Sequence, residues 1–74
     1  MDVTTKIRMA EAALDISEAE LVRRMEGTPL GKSSQAFGQR MKTGKFTTAE
    51  LEQIAEAMGA KYVCYFEFPD GTKI

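Results

Sequence analysis

Two near-copies of one helix-start signal decide where this chain begins two of its helices. Ile16-Ser17-Glu18-Ala19-Glu20-Leu21 and Phe46-Thr47-Thr48-Ala49-Glu50-Leu51 share an order: apolar, hydroxyl, two residues, glutamate, leucine. The hydroxyl accepts a bond from the backbone N–H three residues on, and the glutamate there reaches back to the cap N–H. The apolar residues on either side, Ile16 with Leu21 and Phe46 with Leu51, staple the start. Between them, Ser34 to Gly44 gives a third, shorter helical pattern with a polar and basic outer side.

The remaining elements follow from spacing and punctuation. A first helix is predicted from Thr4 or Thr5 to about Leu14, with Ile7, Ala10, Ala13 and Leu14 inward. The second runs from the Ser17 cap to about Met25, with Leu21, Val22 and Met25 inward. Residues 26–33 form a loop, since two Gly and one Pro in eight residues cannot continue a helix. The third helix starts near Ser33 or Ser34 and stops before Gly44, which suits a left-handed closing position. The fourth runs from the Thr47 cap to Met58, with Leu51, Ile54, Ala55 and Met58 as its apolar stripe. From Lys61 to Phe68 the chain turns β-branched and aromatic and predicts a strand. Pro69-Asp70-Gly71 is a turn signal, and Thr72–Ile74 a short return. A two-stranded hairpin is marginal alone, so it must pack on the helices or pair with a second copy.

The expectation is a mainly α domain of four to five helices over residues 1–60, with a C-terminal β-hairpin over 61–74. A chain of 74 residues buries only about 60% of its unfolded surface, so an oligomer is a natural support. Cys64 is the only cysteine and there is no histidine, so an internal disulfide and a zinc site are not expected. No membrane span and no signal peptide are read from the sequence, and the expected setting is the cytoplasm.

An enzyme is not expected. Without histidine, a base near neutral pH would have to be a tuned carboxylate or lysine. The carboxylates fall mainly on caps and solvent faces, and Cys64 has no base beside it. Gly27 to Ser33 ends in Gly-Lys-Ser but is one residue short of a phosphate-binding loop and follows a helix rather than a strand. No cofactor, metal or small-molecule ligand is expected.

Charge is segregated. From Gly27 to Ala49 there are four basic residues, Lys32, Arg40, Lys42 and Lys45, and no acidic one, although the chain has a net charge of −1. A segregated positive face can meet phosphates even on a neutral chain. At 100° per residue, Phe37, Gly38 and Met41 share one side of the third helix. Gln35, Gln39 and Thr43 lie opposite with Ala36 beside them, and Arg40 and Lys42 flank that stripe. An amide can pair bidentately with adenine, a small apolar group can touch the thymine methyl, and flanking cations suit phosphates. The plain alternative is the polar outer face of any amphipathic helix. Against it, this face lacks the glutamate that fills the other helices.

These residues resemble the lambda-repressor-like helix-turn-helix family, the Cro and XRE-type phage repressors. Its carriers are Ser17 to Met25, Ser34 to Lys45, and Phe46 to Gly59, within a match from about Ile7 to Ala60. The resemblance implies a homodimer on a roughly palindromic stretch of double-stranded DNA, acting as a transcription regulator. It implies that Ser33, Ser34, Gln35, Ala36 and Gln39 approach bases, and that Arg40, Lys42, Thr43 and Lys45 approach phosphates. Lys32, in the loop, is placed near the backbone as well. Two departures stand out: the turn before the third helix is about five residues longer than the usual tight connection, and Glu18 stands where the family often has glutamine. The hairpin lies outside the common core and resembles an appended dimerisation element, with Tyr62, Cys64, Tyr65, Phe66 and Phe68 as its contacts.

Two other readings use the same hairpin. As a protein-interaction module, the aromatic strand 61–68 adds to a partner's sheet edge and the helices are scaffold. As a wing, it touches the minor groove. Alternation along the strand makes its surface apolar rather than basic, which favours pairing or packing.

Overall fold

The structure is a computed structural model describing residues 2–74. Four α-helices follow one another: α1 (Val3–Leu14), α2 (Glu18–Arg24), α3 (Ser34–Thr43) and α4 (Thr48–Ala57), with a 3-10 turn at Pro29–Gly31 between α2 and α3. Helix α2 sits in the middle and contacts the other three helices and the 3-10 turn.

The starts follow from caps. Asp2 accepts the Thr5 N–H at 2.7 Å, so α1 opens before either predicted threonine. The two echoed signals differ in completeness. Thr47 forms the full reciprocal box, accepting from the Glu50 N–H at 3.1 Å while its own N–H donates to Glu50 Oε1 at 2.8 Å. Ser17 forms only the first half. It accepts the Glu20 N–H at 3.0 Å, while the Glu20 carboxylate turns outward to take two bonds from Arg23, each 2.9 Å. The cap of α3 is Ser33, accepting from Ala36 N–H at 3.0 Å, rather than Ser34. Gly44 closes α3 at φ 67°, a conformation with little penalty only for glycine.

The interior is assembled from one side of each helix: Ile7, Leu21, Val22, Met25, Phe37, Met41, Leu51 and Ile54 are buried, joined by Leu30 from the loop. Ile16 and Phe46, the apolar residues ahead of the two echoed caps, pack against it. The first helix departs from expectation. Leu14 and Ala13 are exposed, because Asp15 turns left-handed at φ 55° directly after Leu14 and no element covers that end. The position one turn after Ile7 is instead Glu11, which is buried, with Oε2 lacking any hydrogen-bond partner. Burial raises its carboxyl pKa, the Glu18 carboxylate raises it further, and Arg8 opposes.

A carboxylate whose folded pKa is raised makes folding progressively less favourable as pH climbs through the ordinary and then the folded value. Glu11→Gln should therefore raise the melting temperature at pH 7 and change it little at pH 3, where both forms are neutral. Equal shifts at both pH values would show that charge burial is not the cause.

The long connection between α2 and α3 is built into the core rather than looped out. Leu30 is buried, Thr28 donates its hydroxyl to Met25 C=O at 2.6 Å, and Gly31 N–H bonds Thr28 C=O at 3.1 Å. A Cβ on Gly31 would lie 2.0 Å from Met25 O, so only glycine lets the 3-10 turn close against the end of α2. The loop expected over residues 26–33 is thus a pinned turn that delivers Ser33 to its cap.

The predicted strand over 61–68 does not form. Residues 60–66 carry no helix, strand or turn, and the hairpin reduces to one isolated antiparallel bridge, Glu67 with Lys73. Phe66 and Ile74 exchange both backbone bonds, and Phe68 N–H donates to Thr72 C=O at 2.7 Å. The return segment reaches only as far as Phe66, so the first half of the apolar run has no strand beside it. Of the proposed dimer contacts, Tyr62 is half-buried against the helical core; Cys64, Tyr65, Phe66 and Phe68 are exposed.

Candidate nucleic-acid interface

The side chains of α3 divide sharply. Phe37 and Met41 are buried at 1% and 2% exposure. Phe37 meets Phe46 at a ring separation of 6.2 Å, tying α3 to the segment that starts α4. Thr4 donates its hydroxyl to Met41 C=O at 2.7 Å, so α1 holds the C-terminal half of α3 from the other side. Gly38 sits close to α2: a Cβ there would lie 3.8 Å from Glu18 Oε2. That contact places the Glu18 carboxylate beside α3.

The opposite side of α3 is open. Ser33, Ser34, Gln35, Ala36 and Gln39 are all exposed, and among them only Ser33 uses its side chain, at the cap. Thr43 is exposed but spends its hydroxyl locally, donating to Arg40 C=O at 2.9 Å and accepting the Lys45 N–H at 3.3 Å. Lys32, Lys42 and Lys45 are exposed and make no ion pair among the described residues. They bracket the open face: Lys32 ahead of the cap, Lys42 in the last turn, Lys45 just beyond it. Lys32, Ser33 and Ser34 also line a shallow depression against Ala19, Val22 and Arg23 of α2.

Arg40 stands apart from the other cations. Its guanidinium grips Glu50 by two bonds, 2.9 and 2.6 Å, donates to Lys45 C=O at 2.9 Å, and lies 5.1 Å from the Phe46 ring centroid. The helical wheel placed it among the phosphate contacts. The fold gives it a second task, clasping the C-terminal half of α3 to the start of α4. Glu50 was read only as a cap; an arginine before a glycine turn and a glutamate in the next helix's first turn is the signal that points to this pair.

That junction should weaken in acid. The Arg40 guanidinium, with the Thr47 N–H, lowers the Glu50 carboxyl from its ordinary value to about 2. A depressed carboxylate contributes stability present above its ordinary pKa and lost as pH falls through the folded value. Glu50→Gln keeps an acceptor for the cap but removes the charge, at a cost of up to about 1 kcal/mol for a surface pair. Thermal melts should separate wild type from variant by a few degrees at pH 6, and the gap should close between pH 4.5 and 2. A gap that persists below pH 2 would rule out the ion pair as its source.

Comparison with protein-family models, with curated proteins and with solved structures finds no match. The functional reading therefore rests on residues and geometry. Among the described residues, no helix is long and apolar enough to cross a membrane.

Proposed function

We propose that this chain is a sequence-specific double-stranded DNA-binding transcriptional regulator that acts as a homodimer and reads the major groove with α3. One observation carries the reading: an acid-free, exposed α3 face bearing Gln35, Ala36 and Gln39 is bracketed by three lysines that make no ion pair among the described residues, while the reverse of the same helix is locked into the core. Two amides one helical turn apart suit adjacent base edges, and the lysines suit the phosphates on either side. The fixed placement of α3 matters as much as its chemistry, because a reading helix must hold its side chains in register with the base pairs. Arg40–Glu50 and Phe37–Phe46 hold α3 at the start of α4, and Thr4–Met41 holds it from α1.

Gln35→Ala and Gln39→Ala should each cost about 1–3 kcal/mol for the preferred duplex and relax preference at one position of the site. Competition binding against single-base variants of the site measures both quantities. An equal loss on every sequence would assign the amides to the backbone and remove the base-reading role.

A second reading, a protein-interaction module, is favoured by the tail alone. Val63, Tyr65, Phe66, Phe68 and Ile74 are 47–77% exposed, an apolar run along the tail.

A further inference from the structure

The tail has one free edge, and its residues select how that edge is filled. Phe66 and Phe68 turn their backbone groups toward Thr72–Ile74. Backbone groups alternate sides along an extended chain, so with 61–67 extended Val63, Tyr65 and Glu67 would offer theirs on the opposite edge, where no backbone bond is made among the described residues. The free edge ends at Pro69, which has no N–H to donate.

The amount of uncovered surface matches a protein partner. The chain exposes 5380 Å² at a mass of 8.2 kDa. A compact monomer of that mass exposes about 4500 Å². The excess, about 900 Å², is close to the area each partner buries in a standard interface. The radius of gyration agrees: 13.4 Å against about 11 Å for a compact chain of this length.

We propose that the segment 61–67 pairs antiparallel, along this free edge, with the same segment of a second copy, in the register that sets Cys64 opposite Cys64. This deepens the homodimer part of the reading above and rests on it. The register follows from charge and parity together. Hydrogen-bonded pairs on this edge must join odd-numbered residues. Setting Lys61 opposite Glu67 joins unlike charges at both ends, and Glu67 makes no ion pair within the described chain. The same setting puts Val63 opposite Tyr65 and Tyr62 opposite Phe66, β-branched and aromatic pairs of the kind that stabilise sheets. Sliding the register by one pair of residues sets Lys61 opposite either Pro69 or Tyr65 and leaves Glu67 without its lysine. At the two-fold axis, Cys64 occupies a non-hydrogen-bonded pair, where Cα atoms approach to about 4.5 Å, within disulfide reach.

Oxidation of the full chain by diamide tests this directly. Two Cys64 thiols lose two protons and two electrons to the diazene, which becomes the hydrazine, and one S–S bond forms. Wild type should run as a covalent dimer on a non-reducing gel. Cys64→Ser/Val63→Cys should stay monomeric there, since residue 63 of one copy lies about 8–9 Å from residue 63 of the other, beyond disulfide reach. By sedimentation, Lys61→Glu should weaken the dimer about tenfold, and Lys61→Glu/Glu67→Lys should restore it. A dimer that cross-links equally through residue 63, or that the double swap fails to restore, overturns the register while leaving the homodimer standing. A chain that stays monomeric at all concentrations overturns both, and leaves the edge to a strand of another protein.

Discussion

Phe37→Ala should lower the melting temperature of this domain by about 15–30 °C, followed by far-UV circular dichroism. Phe37 is 1% exposed and is among the largest fully buried side chains. Truncating a buried phenylalanine costs about 3–5 kcal/mol, partly through lost transfer energy and partly through the cavity left behind. Domains hold only about 5–15 kcal/mol in total, and a chain this small sits toward the low end. The effect is also functional, because Phe37 seats α3 against Phe46 and its loss frees the helix that carries Gln35 and Gln39. Phe66→Ala is the internal control. That ring is 77% exposed and touches no core, so its loss should leave the melting temperature of the monomer within a few degrees of wild type. Similar losses for both variants would contradict the packing described for α3.

The second large effect is electrostatic. Replacing Lys32, Lys42 and Lys45 together with alanine should weaken binding to every duplex by about 500-fold at 0.1 M salt. Each phosphate neutralised releases counterions and contributes a slope of about −0.9 to log affinity against log salt, so three lost contacts flatten the slope by about 2.7. The ranking among sequences should survive, since these side chains flank the base-facing stripe rather than belong to it. Arg40→Ala should differ from this pattern. Its guanidinium already holds Glu50, so the variant should lose thermal stability before it loses salt slope. A triple variant with an unchanged slope would remove the lysines from the interface.

Much of this architecture was legible in local chemistry. Ser17, Thr47 and Gly44 announce helix ends through hydrogen bonds made within four residues, and such signals do not depend on distant packing. The two sides of α3 were legible for the same reason: Phe37 and Met41 stand one turn apart and the amides stand opposite. What failed depended on tertiary partners. Leu14 fits the apolar spacing of α1, yet Asp15 ends the helix before anything covers it. Glu11 takes an interior position that periodicity assigns to apolar residues. Arg40 looked free on a helical wheel because its partner lies ten residues away in another helix. The strand over 61–68 has β-favouring composition, but that composition describes a fit to a pleated neighbour, and within one copy the neighbour extends only to Phe66. The candidate site was therefore readable where it rests on one helix, and unreadable where a side chain's task is set by the next element.

The central claim is that α3 reads DNA sequence. Selection of duplexes from a random pool by the purified chain, with affinity of the winners followed against salt, tests it most directly. A DNA-reading α3 in a homodimer gives enrichment of a palindrome whose half-sites lie about one helical turn apart, with a steep negative salt slope. Weak binding at low salt with no enriched sequence would contradict it, and would make the helical domain a scaffold for its exposed tail.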